Sequence, residues 1–234
     1  MCTVIIHVPE RQGAAVHLLA VRDEDPQRAW MPLGESWPER PGIVGVRDGR
    51  AGGAWLAADP AARRLAVILN RADVLSDDPP GSRGHVVLDA LAGREPPAAP
   101  RTHGFNLVEV DADGARVTMW DGRSVRRAAL APGIHMIAHD DVDDERTARI
   151  AAWHDRFPVP DDGDARWWRP WLDVLERASA DGTTDDRAIV RDNRPLGYPT
   201  LSLLVCAASV DAAGVRLSSA AFDQPGRWNR PELV

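Results

Sequence analysis

Two apolar, β-rich runs open this chain, residues 2–8 and 15–21, joined through the turn-like segment Pro9-Glu10-Arg11-Gln12-Gly13. Runs this close pair as an antiparallel hairpin. Their apolar character is nearly continuous rather than alternating, which requires cover on both faces. The first run begins with Cys2, and the second runs on into Arg22-Asp23-Glu24. Pairing brings those outer ends together.

Further strands are expected at 43–46, 53–58 and 65–69, then as pairs at 104–110 with 115–120 and 201–210 with 215–222. Gly52-Gly53 marks a tight turn or a close backbone approach. Residues 26–42, rich in Pro and Trp, are expected as an ordered loop without regular structure. Helices are expected at 82–91, opening on a Ser82 cap, at 143–157 and at 166–178. Helices grouped in blocks, not alternating with strands, indicate an α+β architecture with largely antiparallel sheets. The 234 residues suit a single domain, with no internal repeat and no linker.

A net charge of -7 argues against a nucleic-acid partner. All 28 basic residues are arginine, which together with abundant Ala, Gly and Pro reads as a GC-rich bacterial coding bias. No stretch of about eighteen apolar residues exists for membrane insertion, and the N-terminus does not read as a signal peptide. Two cysteines far apart, Cys2 and Cys206, give no disulfide framework, so a reducing cytoplasm fits best.

Cys is small enough for the initiator methionine to be trimmed. Cys2 would then carry both a thiol and a free α-amine, a nucleophile with its own base. The plainer alternative is a small apolar residue at the start of a buried strand. Arg22, brought near by the hairpin, is the candidate cation to stabilise a thiolate at Cys2. Adjacent strand residues face opposite ways, so Arg22 and Asp23 do not form a natural pair; their alternative is a solvated turn. Asn70 also reads as a turn residue. Cys206 lies in an apolar run and reads as a core thiol. His139-Asp140-Asp141-Val142-Asp143-Asp144 has the composition of a metal site but better suits an acidic cap on the helix expected from Asp143. Trp167, Trp168 and Trp171 have core spacing; with Trp30, Trp37 and Trp55 they are also candidates for lining one apolar pocket. His103 and His135 have no evident partner.

Five segments in order resemble one family. They are Met-Cys-Thr with Val21-Arg22-Asp23-Glu24, then Arg50-Ala51-Gly52-Gly53-Ala54-Trp55-Leu56, Ala66-Val67-Ile68-Leu69-Asn70, His103-Gly104-Phe105-Asn106-Leu107, and more weakly Tyr198-Pro199-Thr200 into 201–205. The chain is similar to the NRDE family, named for an Asn-Arg-Asp-Glu motif, which includes the transport and Golgi organisation protein 2 (TANGO2) homologues. The resemblance implies a four-layer α-β-β-α fold of the N-terminal nucleophile (Ntn) hydrolase type, whose cysteine branch cleaves amides. It implies Cys2 as nucleophile, Arg22 beside it, Asp23 holding the α-amine and Asn70 in the oxyanion hole. Three positions depart from the pattern. Val21 replaces the motif's Asn, His139 stands where a second asparagine is expected, and Pro199 stands at the Gly-Thr-Arg segment.

Two functions are therefore expected to compete. One is a cysteine Ntn hydrolase or acyltransferase, needing no cofactor, acting on a small amide or acyl substrate. The other is a non-enzymatic carrier that uses the same pocket for an apolar ligand, with haem or an acyl-CoA the candidates that the resemblance suggests.

Overall fold

The computed structural model describes residues 2–75 and 81–234. Its strands are β1 (Thr3–Val8), β2 (Val16–Glu24), β3 (Trp30–Glu35), β4 (Val44–Asp48), β5 (Ala54–Asp59), β6 (Arg64–Asn70), β7 (Phe105–Asp111), β8 (Gly114–Trp120), β9 (Val125–Ala129), β10 (Gly133–Ile137), β11 (Leu201–Asp211) and β12 (Gly214–Ala221). The helices are α1 (Gly84–Leu91), α2 (Ala148–Trp153) and α3 (Arg169–Ala178). The class is α+β.

The strands form a five-stranded sheet ordered β10-β1-β2-β11-β12 and a seven-stranded sheet ordered β3 to β9 in sequence. Neighbouring strands in both are antiparallel. The opening hairpin forms as expected, with Thr3 opposite Val21, and every residue of β1 is buried. Its two faces serve two cores. Val4, Ile6, Leu18 and Ala20 meet Leu56, Val67, Leu69 and Val108 of the other sheet. Ile5, Leu19 and Val21 pack with Ile150 of α2 and Trp171, Leu172 and Leu175 of α3. A third core joins Val87, Leu88 and Leu91 of α1 to Ala57, Ala66, Phe105 and Leu107 of the seven-stranded sheet. Helices thus cover one side of each sheet, and the sheets cover each other.

Three strands escape the sequence pattern. β3 lies inside 26–42, where a loop is expected. It is an edge strand with Pro32 and Gly34, and its pairing with β4 is broken between Met31 and Gly34. Pro is tolerated there because the N–H it lacks would face away from the ladder. β9 is the opposite edge and largely exposed, and β10 is an edge of the smaller sheet. An exposed edge carries no apolar period to read.

The helix expected at 143–157 is shorter, comprising α2 followed by a 3₁₀ turn at His154–Arg156. The acidic stretch before it is a loop with each carboxylate engaged elsewhere. Asp141 binds Arg71 at 2.5 Å and Arg126 at 2.6 and 3.0 Å. Asp143 accepts from the Met136 amide at 2.7 Å and pairs with His135 at 2.6 Å. Arg146 reaches back to Asp144. No group of three or more His, Cys, Asp or Glu among the described residues is placed to hold a metal. The tryptophans also divide. Trp167 and Trp171 lie in the α2–α3 core, Trp37 in the α1 core and Trp55 between the sheets, so they do not line one pocket. Among the described residues, no helix is long and apolar enough to cross a membrane.

Candidate functional site

Strand ends from both sheets converge on one cleft of about 700 Å³. Cys2 comes from the head of β1, Arg22 and Asp23 from the end of β2, Trp55 from the start of β5 and Asn70 from the end of β6. Ser82, Arg83 and Gly84 at the start of α1 and His103 just before β7 close the wall. The cleft therefore gathers Cys2, Arg22, Asp23 and Asn70. These are the four residues expected at the site.

Cys2 is 5% exposed. Its Sγ accepts a hydrogen bond from the Asp23 amide at 3.3 Å and donates to the Asp23 carbonyl at 3.6 Å. Burial, and then the nearby Asp23 carboxylate, push the thiol above its ordinary pKa; the Asp23 amide and the Arg22 charge pull the other way. Met1, whose removal would free the α-amine, lies outside the described residues.

Alternation on β2 sorts the two charged neighbours. Arg22 follows Leu18 and Ala20 onto the Cys2 face, while Asp23 follows Leu19 and Val21 onto the other. The Arg22 guanidinium is buried, sits 5.8 Å over the Trp30 ring and touches Glu24 at 3.5 Å. Its Nη1 has no hydrogen-bond partner among the described residues, and neither has the buried Trp55 Nε1. Two donors on the cleft's residues are thus left for an acceptor. The Asp23 carboxylate accepts from the Ser202 hydroxyl and from Asn193 Nδ2 at 3.5 Å. Asn70 is exposed at the end of its strand.

Two glycines explain how α1 reaches this wall. A Cβ on Gly53 would stand 2.4 Å from the Gly84 carbonyl carbon, so the backbones cross with no room for side chains. Gly52, at φ +74°, makes the turn before the crossing. The Gly52-Gly53 pair serves both purposes that its sequence suggests.

Nearby polar residues complete the architecture. His103, without a partner in sequence, pairs with Asp73 at 3.1 Å. Burial alone would raise the Asp73 carboxyl; amide hydrogen bonds from Gly104 and Leu75, with His103, hold it below its usual range. Fully buried Asn106 donates to the carbonyls of Ala138 and Asp140 at 3.0 and 2.8 Å and accepts from Arg71 at 3.2 Å. It ties the segment after β10 to the other sheet.

A second cavity, about 350 Å³, shares Asp23 and Asn70 with the first. Its wall includes His139, Arg149, Arg191, Asn193 and Tyr198. Arg149, Arg191 and Asn193 were not singled out in the sequence. Arg149 is the charged member of the otherwise apolar α2 and is a weak signal by itself; Arg191 and Asn193 sit in a polar run that looks like an ordinary loop. Of the three departures, His139 lines this second cavity, Val21 is buried in the α2–α3 core and Pro199 is exposed.

Fold and site together define an α+β protein with two antiparallel sheets and a cysteine at the head of a central strand, opening on a charged cleft. The chain belongs to the Transport and Golgi organisation 2 family, whose model matches residues 1–158. The remaining residues add α3, β11 and β12. Comparison with curated proteins gives no match.

Proposed function

We propose that this protein is a cysteine Ntn hydrolase or acyltransferase acting on a small amide or acyl substrate, with the four-layer α-β-β-α arrangement of that superfamily. The observation that carries the reading is the placement of Cys2 and Arg22 on one face of a buried hairpin, with Asn70 on the same cleft. Three separate cores, one between the sheets and one under each helical face, support the layer order.

With Met1 removed, the α-amine takes the Cys2 thiol proton as sulfur attacks the carbonyl carbon. Arg22 stabilises the thiolate. The tetrahedral oxyanion receives hydrogen bonds from Asn70 and from a donor without another partner, Trp55 Nε1 or Arg22 Nη1. As the C–N bond breaks, the ammonium returns its proton to the leaving amine, and a thioester remains on Cys2. Attack by water releases the acid and restores the thiol; another acceptor gives acyl transfer instead.

The charged wall, with Arg22, Asp23, Glu24, Arg28, Asp48 and Arg83, favours a polar substrate over haem or another flat apolar ligand. A non-enzymatic binder remains the second reading, favoured by the raised thiol at Cys2. Intact-mass measurement and a cysteine-directed acylating probe separate the two. Loss of Met1 with an adduct on Cys2, abolished in Arg22→Gln, supports the enzyme. Retained Met1, or labelling indifferent to Arg22, overturns it.

A further inference from the structure

Four guanidinium groups and three carboxylates line the cleft at Cys2, and they do not pair off evenly. Arg28 binds Asp48 at 2.6 Å and lies 3.8 Å from Glu24. Glu24 also meets Arg22 at 3.5 Å. The Asp23 carboxylate belongs to the other face of β2, where Ser202 and Asn193 engage it. Arg50 is exposed to solvent. Arg83 is paired with none of these carboxylates. Among the described residues its one hydrogen bond runs from Nη1 to the Gly104 carbonyl at 3.2 Å, and it takes part in no ion pair. A guanidinium has five N–H donors, so most of the fork is left over.

The fold holds Arg83 in place. It is half-buried at the start of α1, and the close crossing of Gly53 and Gly84 fixes that start. The amides of the first turn are spent locally: Gly84 N–H bonds the Ser82 hydroxyl at 3.3 Å, and those of His85 and Val86 bond the Ser82 and Arg83 carbonyls. The turn carries no acidic residue to offset the guanidinium. Arg83 also lies within electrostatic reach of the sulfur. Burial lowers its pKa, while a thiolate at Cys2 and the Glu24 carboxylate raise it; it remains a cation at neutral pH. On the Cys2 side of the cleft, the buried Arg22 Nη1 is a second donor without a partner. We propose that Arg83 is a specificity-determining residue that holds a carboxylate of the substrate while the reactive carbonyl faces Cys2. The substrate is then an anionic acyl or amide compound, since a guanidinium fork matches the paired oxygens of a carboxylate. This extension rests on the reading of Cys2 as nucleophile.

Rates of Cys2 alkylation by iodoacetate and by iodoacetamide, followed by peptide mass on the full chain, test the assignment. Both reagents form an S–C bond as iodide leaves and the thiol proton passes to a base; they differ in charge. A small free thiol such as N-acetylcysteine prefers iodoacetamide, because its thiolate repels the carboxylate, and sets the reference ratio. At Cys2 the ratio of the iodoacetate rate to the iodoacetamide rate should exceed that reference about tenfold or more. Arg83→Gln should bring the ratio down towards the reference, and Arg83→Lys, which keeps the charge, should retain most of it. In the unaltered chain, succinate should protect Cys2 from iodoacetamide and neutral succinamide should not, a result that needs no variant. A ratio equal to the reference, a raised ratio that survives in Arg83→Gln, or equal protection by succinamide and succinate would overturn the proposal and leave the Cys2 reading standing. Failure of Cys2 to react with iodoacetamide would overturn both.

Discussion

Cys2 and Cys206 are both buried thiols, yet only one opens on a cleft. Cys206 lies between Ala20 and Ser219 in the smaller sheet, and burial pushes it up to about 12. It is a core residue, as its apolar run suggests. Cys2 has a cleft in front of it, a guanidinium on its own face and a backbone amide on its sulfur. The expected contrast is that Cys206→Ala keeps probe labelling and Cys2→Ala abolishes it, read by peptide mass. Asn70 supports a second residue-scale prediction. An oxyanion donor contributes about 2.7–4 kcal/mol to the barrier, so Asn70→Ala should lower turnover about 10²–10³-fold with the fold intact. Since Asn70 is exposed at a strand end, melting temperature should barely move, and a large loss of stability would contradict the assignment. Residue identity and position made Cys2 visible, and the family resemblance added Arg22 and Asn70. Neither revealed Arg149, Arg191 or Asn193, because a buried arginine in a short helix and one in a loop look like surface charges until their neighbours are known.

At the scale of elements, the crossing of Gly53 over Gly84 decides where α1 stands. Any Cβ on Gly53 meets backbone atoms of Gly84, which cannot rotate away as a side chain could. Gly53→Ala should therefore shift α1 or destabilise the protein by about 1–3 kcal/mol, measurable by chemical denaturation. Since Ser82, Arg83 and Gly84 line the cleft, labelling at Cys2 should change with it. Asn106 is the other element-scale pin. Replacing it with Leu strips two buried carbonyls and a guanidinium of their partner, at about 1–3 kcal/mol for each group left unsatisfied. Sequence periodicity marked both strands of the hairpin, β4 to β8, β11, β12, α1 and α3, most of which bury at least one face. It missed β3, β9 and β10, whose pairing is set by neighbours rather than by their own apolar pattern. It also overextended α2, because carboxylates that would suit a helix start found better partners in Arg71, Arg126 and His135.

At the scale of the whole molecule, pH should act in two steps. His7, His17 and His139 are held below their ordinary pKa, chiefly by burial, so the unfolded chain binds their protons more readily. Stability is then full above about pH 6.5 and falls as pH drops below that value. His135 opposes them, since its hydrogen bond to Asp143 raises its pKa and favours the folded state in acid. The expected outcome between about pH 7 and 5 is a fall in stability that His135 partly offsets. A second limb belongs to Asp141, held to about 2 by Arg126 and Arg71. Its contribution is present above its unfolded value of about 3.9 and is lost as pH falls towards 2. It amounts to about 1 kcal/mol once solvent screening of a half-exposed carboxylate is allowed for. Thermal denaturation at stepped pH should show both limbs, with His17→Gln flattening the first and Asp141→Asn the second. Asp141 joins the loop after β10 to β9 and the end of β6, so the second limb reports the bond between the two sheets.

The sequence by itself determined the local pairings, the buried opening hairpin and the α+β class, and its short motifs carried the resemblance that points to the family and, through it, to Cys2, Arg22, Asp23 and Asn70. These follow from apolar periodicity, turn residues and short motifs, which act between neighbours along the chain. Only the tertiary structure decided that β10 pairs with β1, that β11 lies between β2 and β12, and that two arginines far apart in sequence share a cavity behind Asp23. Those contacts depend on which surfaces remain to be covered once the sheets have formed. Burial of a charge and the meeting of distant side chains are properties of packed surfaces, and no local pattern encodes them.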